Sequence, residues 1–288
     1  MNRRDFLNLT ASAGVAAGVA AATTGSRSPK TPTARAQKDA AERILDTRRI
    51  NCGYISNGTR LMVDPNGKKL SGIFYDLTQR IGEIAGLEID WNLETSFANF
   101  IEDLRLGKCD TVATGAWPTA KRAAMVGFSS STFYSGVGVY VRIEDRRFDG
   151  DVRKLNHPSY RVATLDGEMS QSIQQSDFGM ASVLSLPNTA DVSMLLESVA
   201  THKADATFID KTVANLYMKK NPRVLRNITE TKPIRVFENT WPFAYGSERL
   251  RGILDTAVRE MVFSGYINDV LAKHGEENDY YSVRLPIQ

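Results

Sequence analysis

Apolar residues follow two alternating spacings along the first half of the chain. Short apolar runs typical of buried strands are separated by stretches in which apolar residues recur every three or four positions, as on one face of a helix. The helical stretches end at Gly86 and Gly107, and Ser96 stands where it could cap the second of them. The predicted strands are residues 50–55, 87–91 and 109–114. Alternating strands and helices of this kind predict a parallel sheet covered by helices.

The second half of the chain repeats this scheme. At a constant offset of 95 residues, Lys108-Cys109-Asp110 matches Lys203-Ala204-Asp205, so the strand ends at Gly115 and Asp210 become equivalent positions. A helix, turn and strand unit used twice predicts an α/β fold made of two lobes. The predicted elements are strands at 160–165, 181–186 and 204–209, a helix from about Glu168, a helix at 191–200 with a cap near Thr189, and a helix at 211–220.

The two lobes are expected to be joined by a hinge. The first lobe is predicted to hold residues 45–136 together with 244–288, and the second lobe residues 137–243. The small-residue stretch at 134–138 has the character of a hinge strand. Apolar residues from Leu250 onward recur on one side of the last helices, which predicts that these helices cover the first lobe.

The first 36 residues have the pattern of an export signal. Arg3 and Arg4 precede a weakly apolar Ala/Gly-rich stretch, and Ala34 and Ala36 are the small residues expected before a cleavage site. Paired arginines with a modest apolar region indicate the twin-arginine route. A membrane anchor is the alternative, but the stretch is short and too weakly apolar to hold a span. We therefore expect a protein exported to the periplasm.

Charge and composition narrow the classes of partner. The chain has 288 residues, of which 42% are hydrophobic and 24% charged, and a formal net charge of +3. Five of its 36 basic and one of its 33 acidic residues lie in positions 1–36, so the remainder carries 31 basic and 32 acidic residues. A nearly neutral chain without a basic stripe lacks the electrostatic footprint of a nucleic-acid-binding protein. We expect no nucleic-acid partner.

The cysteines and histidines predict neither a redox centre nor a metal site. Cys52 and Cys109 are the only cysteines, and both lie in strand-like runs. An oxidising compartment would permit a disulfide, but two buried free thiols are the favoured interpretation. The three histidines, His157, His202 and His274, are scattered without ligand spacing. No metal or other cofactor is predicted.

The residues that follow the third strand form a candidate anion receptor. Gly115 ends that strand, and Thr119 can cap a helix, so the N–H groups of residues 120–122 and the Arg122 guanidinium can converge on one point. A guanidinium beside free N–H groups suits a carboxylate or phosphate. An arginine in a first helical turn can also be a solvated surface residue; its place after a glycine at a strand end favours the receptor.

Asp210 is the candidate counterpart in the second lobe. It ends the strand equivalent to that of Gly115 and precedes a helix, so it could serve as an N-cap or as a ligand for a cation. Open parallel sheets bind ligands beyond the carboxyl ends of their strands, which would place Asp210 across a cleft from Arg122. An anion and a cation on opposite walls fit a zwitterion.

The motifs in this order resemble the family 3 extracellular solute-binding proteins, the periplasmic amino-acid-binding components of ABC importers. The resemblance covers nearly all of the chain after the export signal and rests on the order and spacing of several short motifs. These are residues 72–77 (Gly-Ile-Phe-Tyr-Asp-Leu), 107–110 (Gly-Lys-Cys-Asp), 119–122 (Thr-Ala-Lys-Arg), 127–129 (Gly-Phe-Ser), 204–210 (Ala-Asp-Ala-Thr-Phe-Ile-Asp) and 265–268 (Gly-Tyr-Ile-Asn).

The resemblance implies a fold, a function and a set of site residues. The fold is the type II periplasmic binding protein fold, and the function is capture of an amino acid or amino-acid-like zwitterion for an ABC permease. Arg122 corresponds to the arginine that holds the ligand α-carboxylate, and Asp210 to the aspartate that binds the α-ammonium. The remaining implied ligand contacts are Gly115, Phe97, Tyr54 and Ser56 within residues 54–57, and Gly167 at the start of the second lobe's binding loop.

Two residues depart from the family pattern. Trp117 stands where a small hydroxyl residue is usual, and Met169 replaces the second glycine of the loop that begins at Asp166. Both changes predict a reshaped pocket, so the family's preference for particular ligand side chains does not carry over to this chain. The alternative function is an enzyme on the same scaffold, similar to the cyclohexadienyl or arogenate dehydratases, with Glu168 or Asp166 as proton donor. We expect a monomeric binding protein without catalytic residues.

Overall fold

Two large sheets, each combining parallel and antiparallel strands, and a small two-stranded antiparallel sheet organise the described residues. The computed structural model describes residues 42–66, 69–276 and 278–282, and the predicted export signal lies outside this range. The strands are β1 (Arg49–Tyr54), β2 (Met62–Val63), β3 (Leu70–Ser71), β4 (Glu88–Glu94), β5 (Thr111–Ala113), β6 (Gly127–Phe128), β7 (Phe133–Arg142), β8 (Arg161–Leu165), β9 (Ser182–Leu186), β10 (Ala206–Asp210), β11 (Leu225–Asn227), β12 (Arg235–Glu238), β13 (Pro242–Phe243) and β14 (Tyr280–Ser282).

The helices alternate with these strands, as the sequence pattern predicts. Residues 42–47 are helical ahead of β1. Short 3₁₀ turns lie at Gly58–Arg60 and Val152–Leu155. The α-helices that follow β1 are α1 (Ile73–Ala85), α2 (Phe100–Arg105), α3 (Ala120–Ala123), α4 (Met169–Asp177), α5 (Ser193–Ala200), α6 (Lys211–Lys220), α7 (Glu248–Phe263) and α8 (Tyr266–Lys273).

The two sheets share one topology, which confirms the predicted two-lobed α/β fold. In the first sheet the strands run in the order β4-β1-β5-β13-β6. Strand β1 is parallel to both β4 and β5, whereas β13 is antiparallel to β5. The second sheet contains the order β9-β8-β10-β7, with β8 parallel to β9 and β10 and β7 antiparallel to β10. The first strand of each unit is therefore central, and the unit found at an offset of 95 residues is repeated in space.

Helix ends follow the predicted caps with two exceptions. Gly86 ends α1 at a φ of 64°, and Asp210 accepts a hydrogen bond from the N–H of Thr212 at the start of α6. The Ser96 side chain caps nothing, because α2 begins only at Phe100 after a turn closed by the Ser96 backbone carbonyl. The predicted cap near Thr189 is replaced by Asp191, which accepts the N–H of Ser193.

The last long helices cover the first sheet, as predicted. Leu250, Leu254 and Val258 of α7 pack in one core cluster with the apolar face of α1 and with strands β1 and β13. Trp241 is fully buried in this cluster, where its ring lies 5.1 Å from that of Phe74. This core fixes the carboxyl ends of β1 and β5 relative to one another.

The chain crosses between the lobes along two paired segments. The Ser129 N–H donates to the Trp241 carbonyl, and the Thr132 N–H donates to the Asn239 carbonyl, each at 3.0 Å. The predicted hinge stretch at 134–138 lies inside β7 instead, because it pairs with β10, β12 and β14.

Strand membership at the crossing differs from the predicted lobe limits by a few residues. Pro242 and Phe243, which were grouped with the second lobe, form β13 in the first sheet, where Phe243 pairs with Thr111. Residues 133–136, which were grouped with the first lobe, begin β7 of the second sheet.

Both cysteines are free and buried. Cys52 packs in the cluster that contains Ala113, whereas Cys109 packs in the cluster that contains Val112. Val112 and Ala113 are adjacent in β5, so their side chains face opposite sides of the sheet. The two thiols therefore also lie on opposite faces. None of the helices in the described part of the chain has the length and apolar content that a membrane span requires.

Candidate functional site

Residues from both lobes enclose a small cavity beyond the ends of β5 and β10. Its volume is about 20 Å³, which is room for about one water molecule. The lining residues are Asn57, Arg60, Phe97, Gly115, Trp117 and Arg122 from the first lobe and Glu168, Met169, Val192, Ile209, Asp210 and Val213 from the second. The structure therefore brings Arg122 and Asp210 to one cavity, which we call the inner cavity.

Arg122 reaches this cavity from the short helix α3. Its backbone N–H donates to Thr119 Oγ1 at 3.2 Å, so the predicted cap is present. Its guanidinium donates from Nη1 to the Trp117 carbonyl at 2.9 Å and from Nη2 to the Gly167 carbonyl at 3.0 Å. Burial lowers the pKa of Arg122, and the Glu168 carboxylate opposes that shift. No carboxylate of the described residues lies within ion-pair distance of this guanidinium.

Asp210, by contrast, already has a cationic partner. Its Oδ1 accepts the Thr212 N–H at 2.9 Å, and its Oδ2 accepts a hydrogen bond from Arg60 Nη2 at 2.6 Å. The Asp210 and Arg60 side chains are only 7% and 4% exposed, respectively. The carboxylate that was predicted to bind a solute ammonium is therefore half of a buried ion pair between the lobes.

Arg60 is the site residue that the sequence analysis missed. Its Nη2 also donates to Ser135 Oγ at 2.7 Å, and its Nε donates to the Tyr280 hydroxyl at 3.5 Å. Its guanidinium carbon lies 5.2 Å from the ring centre of Trp117 and 5.8 Å from that of Tyr280. Burial disfavours the charged form of Arg60 and acts to lower its pKa. The attraction to Asp210 and the interactions with Tyr280 are larger together, so the pKa of Arg60 is raised. A single arginine in a 3₁₀ turn gives no sequence pattern that marks it as a site residue.

Four other predicted residues also line the inner cavity, and their packing explains their positions. The ring of Trp117 stacks on that of Phe237 at 4.6 Å, and its Nε1 donates to Asn239 Oδ1 at 3.2 Å. Gly115 has a φ of 66°, and a Cβ there would lie 2.5 Å from the Phe74 ring, so only glycine fits. Phe97 and Met169 supply apolar walls, one from each lobe.

Three predicted residues do not line the inner cavity. The Tyr54 ring packs edge-on against that of Trp91, with 6.3 Å between ring centres. Its side chain leaves β1 on the face of the sheet that α1 covers, and Trp91 of β4 packs on that same face. Gly167 contributes only its carbonyl, which accepts from Arg122. Ser56 lies in a neighbouring space.

That neighbouring space is a larger outer chamber of about 660 Å³ between the lobes. It shares Asn57, Phe97, Val192 and Val213 with the inner cavity, so the two spaces adjoin. Its other lining residues include Glu94, Ser96, Thr189, Asp191, Leu216 and Lys220. A mixed polar wall of this kind can accommodate the remote part of a solute whose charged end lies in the inner cavity.

A buried carboxyl group lies behind the ion pair and should make folding stability depend on pH. Glu276 is 5% exposed and faces the Thr59 and Thr212 hydroxyls and the Asp279 carboxylate. Burial raises its pKa from 4.5 to about 7. A raised carboxyl pKa means that the folded state binds the proton more tightly than the unfolded state does. This contribution to stability is complete below the unfolded pKa and is lost as pH rises through the folded one.

We therefore expect the melting temperature to fall between about pH 5 and pH 8, and Glu276→Gln to reduce this fall. Thermal unfolding of the protein and the variant over that range measures the effect. Glu238→Gln, at an exposed carboxylate of β12, is the control and should leave the pH profile unchanged. Identical profiles for the protein and the Glu276 variant would show that this carboxyl group does not titrate in that range.

Comparison with known proteins assigns the family. The model of the bacterial extracellular solute-binding proteins of family 3 matches residues 55–277. The chain belongs to this family of solute-binding proteins. The matched residues include the first-lobe motifs, both crossing segments, the second sheet apart from β14, and the helices α7 and α8. The solute-binding role that the motifs predict is thereby confirmed.

Individual relatives of this solute-binding protein are distant. A Campylobacter jejuni protein named "Probable histidine-binding protein" is 22% identical over 214 residues, which are 72% of this chain and 77% of the relative. The structure of a mutant of ArgBP from T. maritima has a TM-score of 0.69 at 22% identity, and the match covers 83% of this chain and 100% of that one. The ancestral amino acid-binding protein AncCDT-1, described as a precursor of cyclohexadienyl dehydratase, has a TM-score of 0.71 at 19% identity, covering 81% and 98%. These likenesses confirm the type II periplasmic binding protein fold.

Proposed function

We propose that this solute-binding protein captures a small amino-acid-like solute through its carboxylate and delivers it to an ABC permease. The observation that carries the proposal is the state of Arg122. Its guanidinium is half-buried, and its bonds go to one carbonyl of each lobe, those of Trp117 and Gly167, rather than to a carboxylate. A half-buried guanidinium that forms an ion pair with no carboxylate of the described residues favours an anionic ligand, because a carboxylate restores the interactions lost on burial.

Binding of the carboxylate would couple solute capture to closure of the lobes. Arg122 belongs to the first lobe, and Gly167 and Met169 approach it from the second. A solute held from both walls only in the closed form shifts the equilibrium between open and closed forms toward closure. Periplasmic binding proteins are the established case of such closure around ligands. The closed form is then the one presented to the permease.

The remaining predicted contacts have separate tasks in this proposal. Phe97 and Met169 pack against the solute's carbon chain, and Trp117 narrows the inner cavity beside Gly115. The outer chamber, where Ser56 lies, accommodates the rest of the side chain. A relative named for histidine, and structures of binding proteins with arginine or lysine bound, support the amino-acid class without choosing a side chain.

The setting is part of the proposal. We place the protein in the periplasm after export by the twin-arginine route, and as a monomer that meets its permease at the inner membrane. The family is named for extracellular solute-binding proteins, which supports the exported location.

A binding role without catalysis is also proposed. The enzyme alternative needs a free acid over the substrate, whereas Glu168 Oε2 accepts the Ser170 N–H and so caps α4. Asp166 likewise bonds to Gln171 and Ser185 of its own lobe. Formation of product from prephenate or arogenate by the purified protein would overturn this part of the proposal.

Thermal shift with a panel of α-amino acids, their 2-oxo and 2-hydroxy acids, and the matching amines without a carboxylate tests the capture proposal. A solute that binds the folded state raises the melting temperature, and the rise grows with the logarithm of the ratio of its concentration to its dissociation constant. We expect stabilisers only among compounds that carry a carboxylate. Stabilisation by an amine without a carboxylate, or by no carboxylate in the panel, would contradict the proposal.

A further inference from the structure

The Arg60 guanidinium occupies the place where a solute ammonium would meet Asp210. It bonds to Asp210 and to Ser135, donates to Tyr280, and lies between the rings of Trp117 and Tyr280. The whole residue is 3% exposed. These contacts come from β10, β7, β14 and the segment after β5, so Arg60 is a fixed part of the inner wall.

Displacing Arg60 with an ammonium would yield no net gain in charge pairing. Asp210 would exchange one cation for another, while Arg60 would lose the Ser135 and Tyr280 hydroxyls and both aromatic faces. A buried charge that loses its partner is strongly unfavourable. A solute ammonium therefore has no favourable route to the Asp210 carboxylate while Arg60 is present.

Adding an ammonium beside Arg60 is unfavourable as well. One carboxylate would then face two cations in a buried site, where like charges a few ångströms apart repel strongly. The second oxygen of Asp210 is already bonded to the Thr212 N–H. An uncharged oxygen of the solute would not be repelled by Arg60 and could accept a hydrogen bond from it. Arg60 lines the inner cavity, and none of the described residues takes a hydrogen bond from its Nη1.

We infer that the cleft selects amino-acid-like acids that lack a free α-ammonium, such as 2-oxo acids, 2-hydroxy acids and N-acylated amino acids. Arg60 is the residue that sets this specificity, because it satisfies Asp210 from within the protein and offers a donor to an uncharged oxygen of the α-substituent. The inference rests on the proposed function, since Arg122 must hold the carboxylate of the same solute.

Calorimetric titration with matched sets of probes tests the inference. The sets are L-alanine with pyruvate, L-lactate and N-acetyl-L-alanine; L-phenylalanine with phenylpyruvate and phenyllactate; and L-glutamate with 2-oxoglutarate and 2-hydroxyglutarate. Within each set that binds, we expect an acid without ammonium to bind at least about ten-fold more tightly than the amino acid, a difference of about 1.4 kcal/mol. Tighter binding of the amino acids would overturn the inference and leave the proposed function standing. Binding of no probe would overturn both.

Variants of Arg60 separate its charge from its packing. Arg60→Met removes the cation and should shift the preference toward the amino acid by about ten-fold or more, because Asp210 becomes free for the ammonium. Arg60→Lys keeps a cation beside Asp210 and should keep the preference of the parent protein. An unchanged preference in Arg60→Met would show that Arg60 does not set specificity.

A double variant covers the case in which Arg60→Met does not fold. Arg60→Met with Asp210→Asn leaves no buried charge without a partner, so its folding does not depend on the ion pair. We expect it to bind the amino acid and the 2-oxo acid of a set within about three-fold of each other. A ten-fold preference for the 2-oxo acid that persisted in this variant would overturn the inference.

Discussion

Replacing Arg122 with alanine is expected to weaken solute binding by about 2–5 kcal/mol, the usual loss when a buried charged partner is truncated. In the variant no guanidinium separates the solute carboxylate from the Trp117 and Gly167 carbonyl oxygens. These oxygens are hydrogen-bond acceptors and repel the carboxylate. Calorimetric titration with the stabiliser identified by thermal shift measures the change. Dissociation should become faster, since a lost contact inside a closed cleft affects release more than encounter.

Lys121 offers a matched control for this prediction. It is the neighbouring basic residue on α3 but is exposed and does not line the inner cavity. Lys121→Ala changes the net charge as Arg122→Ala does, and we expect it to leave the affinity within about 0.5 kcal/mol. If the Arg122 variant bound as tightly as the parent protein, the assignment of the carboxylate to Arg122 would be wrong.

Asp210→Ala is expected to lower the free energy of unfolding by about 3–5 kcal/mol, because it leaves the Arg60 guanidinium buried without a counter-ion. The same change removes the hydrogen bond to the Thr212 N–H at the start of α6. Urea unfolding of the protein without solute measures the loss. The effect belongs to stability rather than to solute binding, since the Arg60–Asp210 pair joins the lobes in the protein itself.

Asp191→Ala separates the two parts of this effect. Asp191 accepts the Ser193 N–H at 2.8 Å, as Asp210 accepts that of Thr212, but it is exposed and forms no ion pair with an arginine of the described residues. Loss of such a bond costs about 1 kcal/mol. An Asp210 variant no less stable than the Asp191 variant would show that the ion pair contributes nothing. Addition of Arg60→Met to Asp210→Ala should recover stability, because no charge is then left unpaired.

The fold could be predicted largely from the sequence, because its signals are local and repeated. The apolar spacing before Gly86 specifies α1, and Asp210 marks both the end of β10 and the cap of α6. The misplaced cap at Ser96 shows the limit of such signals. A serine before an apolar run is compatible with a helix start, but here the turn before Phe100 delays the helix.

The candidate site could be predicted in part. Asp210 ends β10, and Arg122 lies on the short helix that follows β5; ligands of open parallel sheets bind beyond the carboxyl ends of such strands, so both positions could be predicted to face the cleft. Tyr54 shows why adjacency in sequence is insufficient: it ends β1 near the cleft, yet its side chain packs on Trp91. The direction in which a strand's last side chain points depends on register and twist, which the sequence pattern does not specify.

The sequence by itself determined the two-lobed α/β fold, its duplicated unit and the arginine that faces the cleft, because periodicity and motif spacing are properties of neighbouring residues. Only the tertiary structure decided what Asp210 bonds to. Its partner Arg60 is 150 positions away in the chain, and Ser135 and Tyr280 hold that arginine from two further strands. Contacts among residues so distant arise from the packing of the lobes, and no local pattern records them.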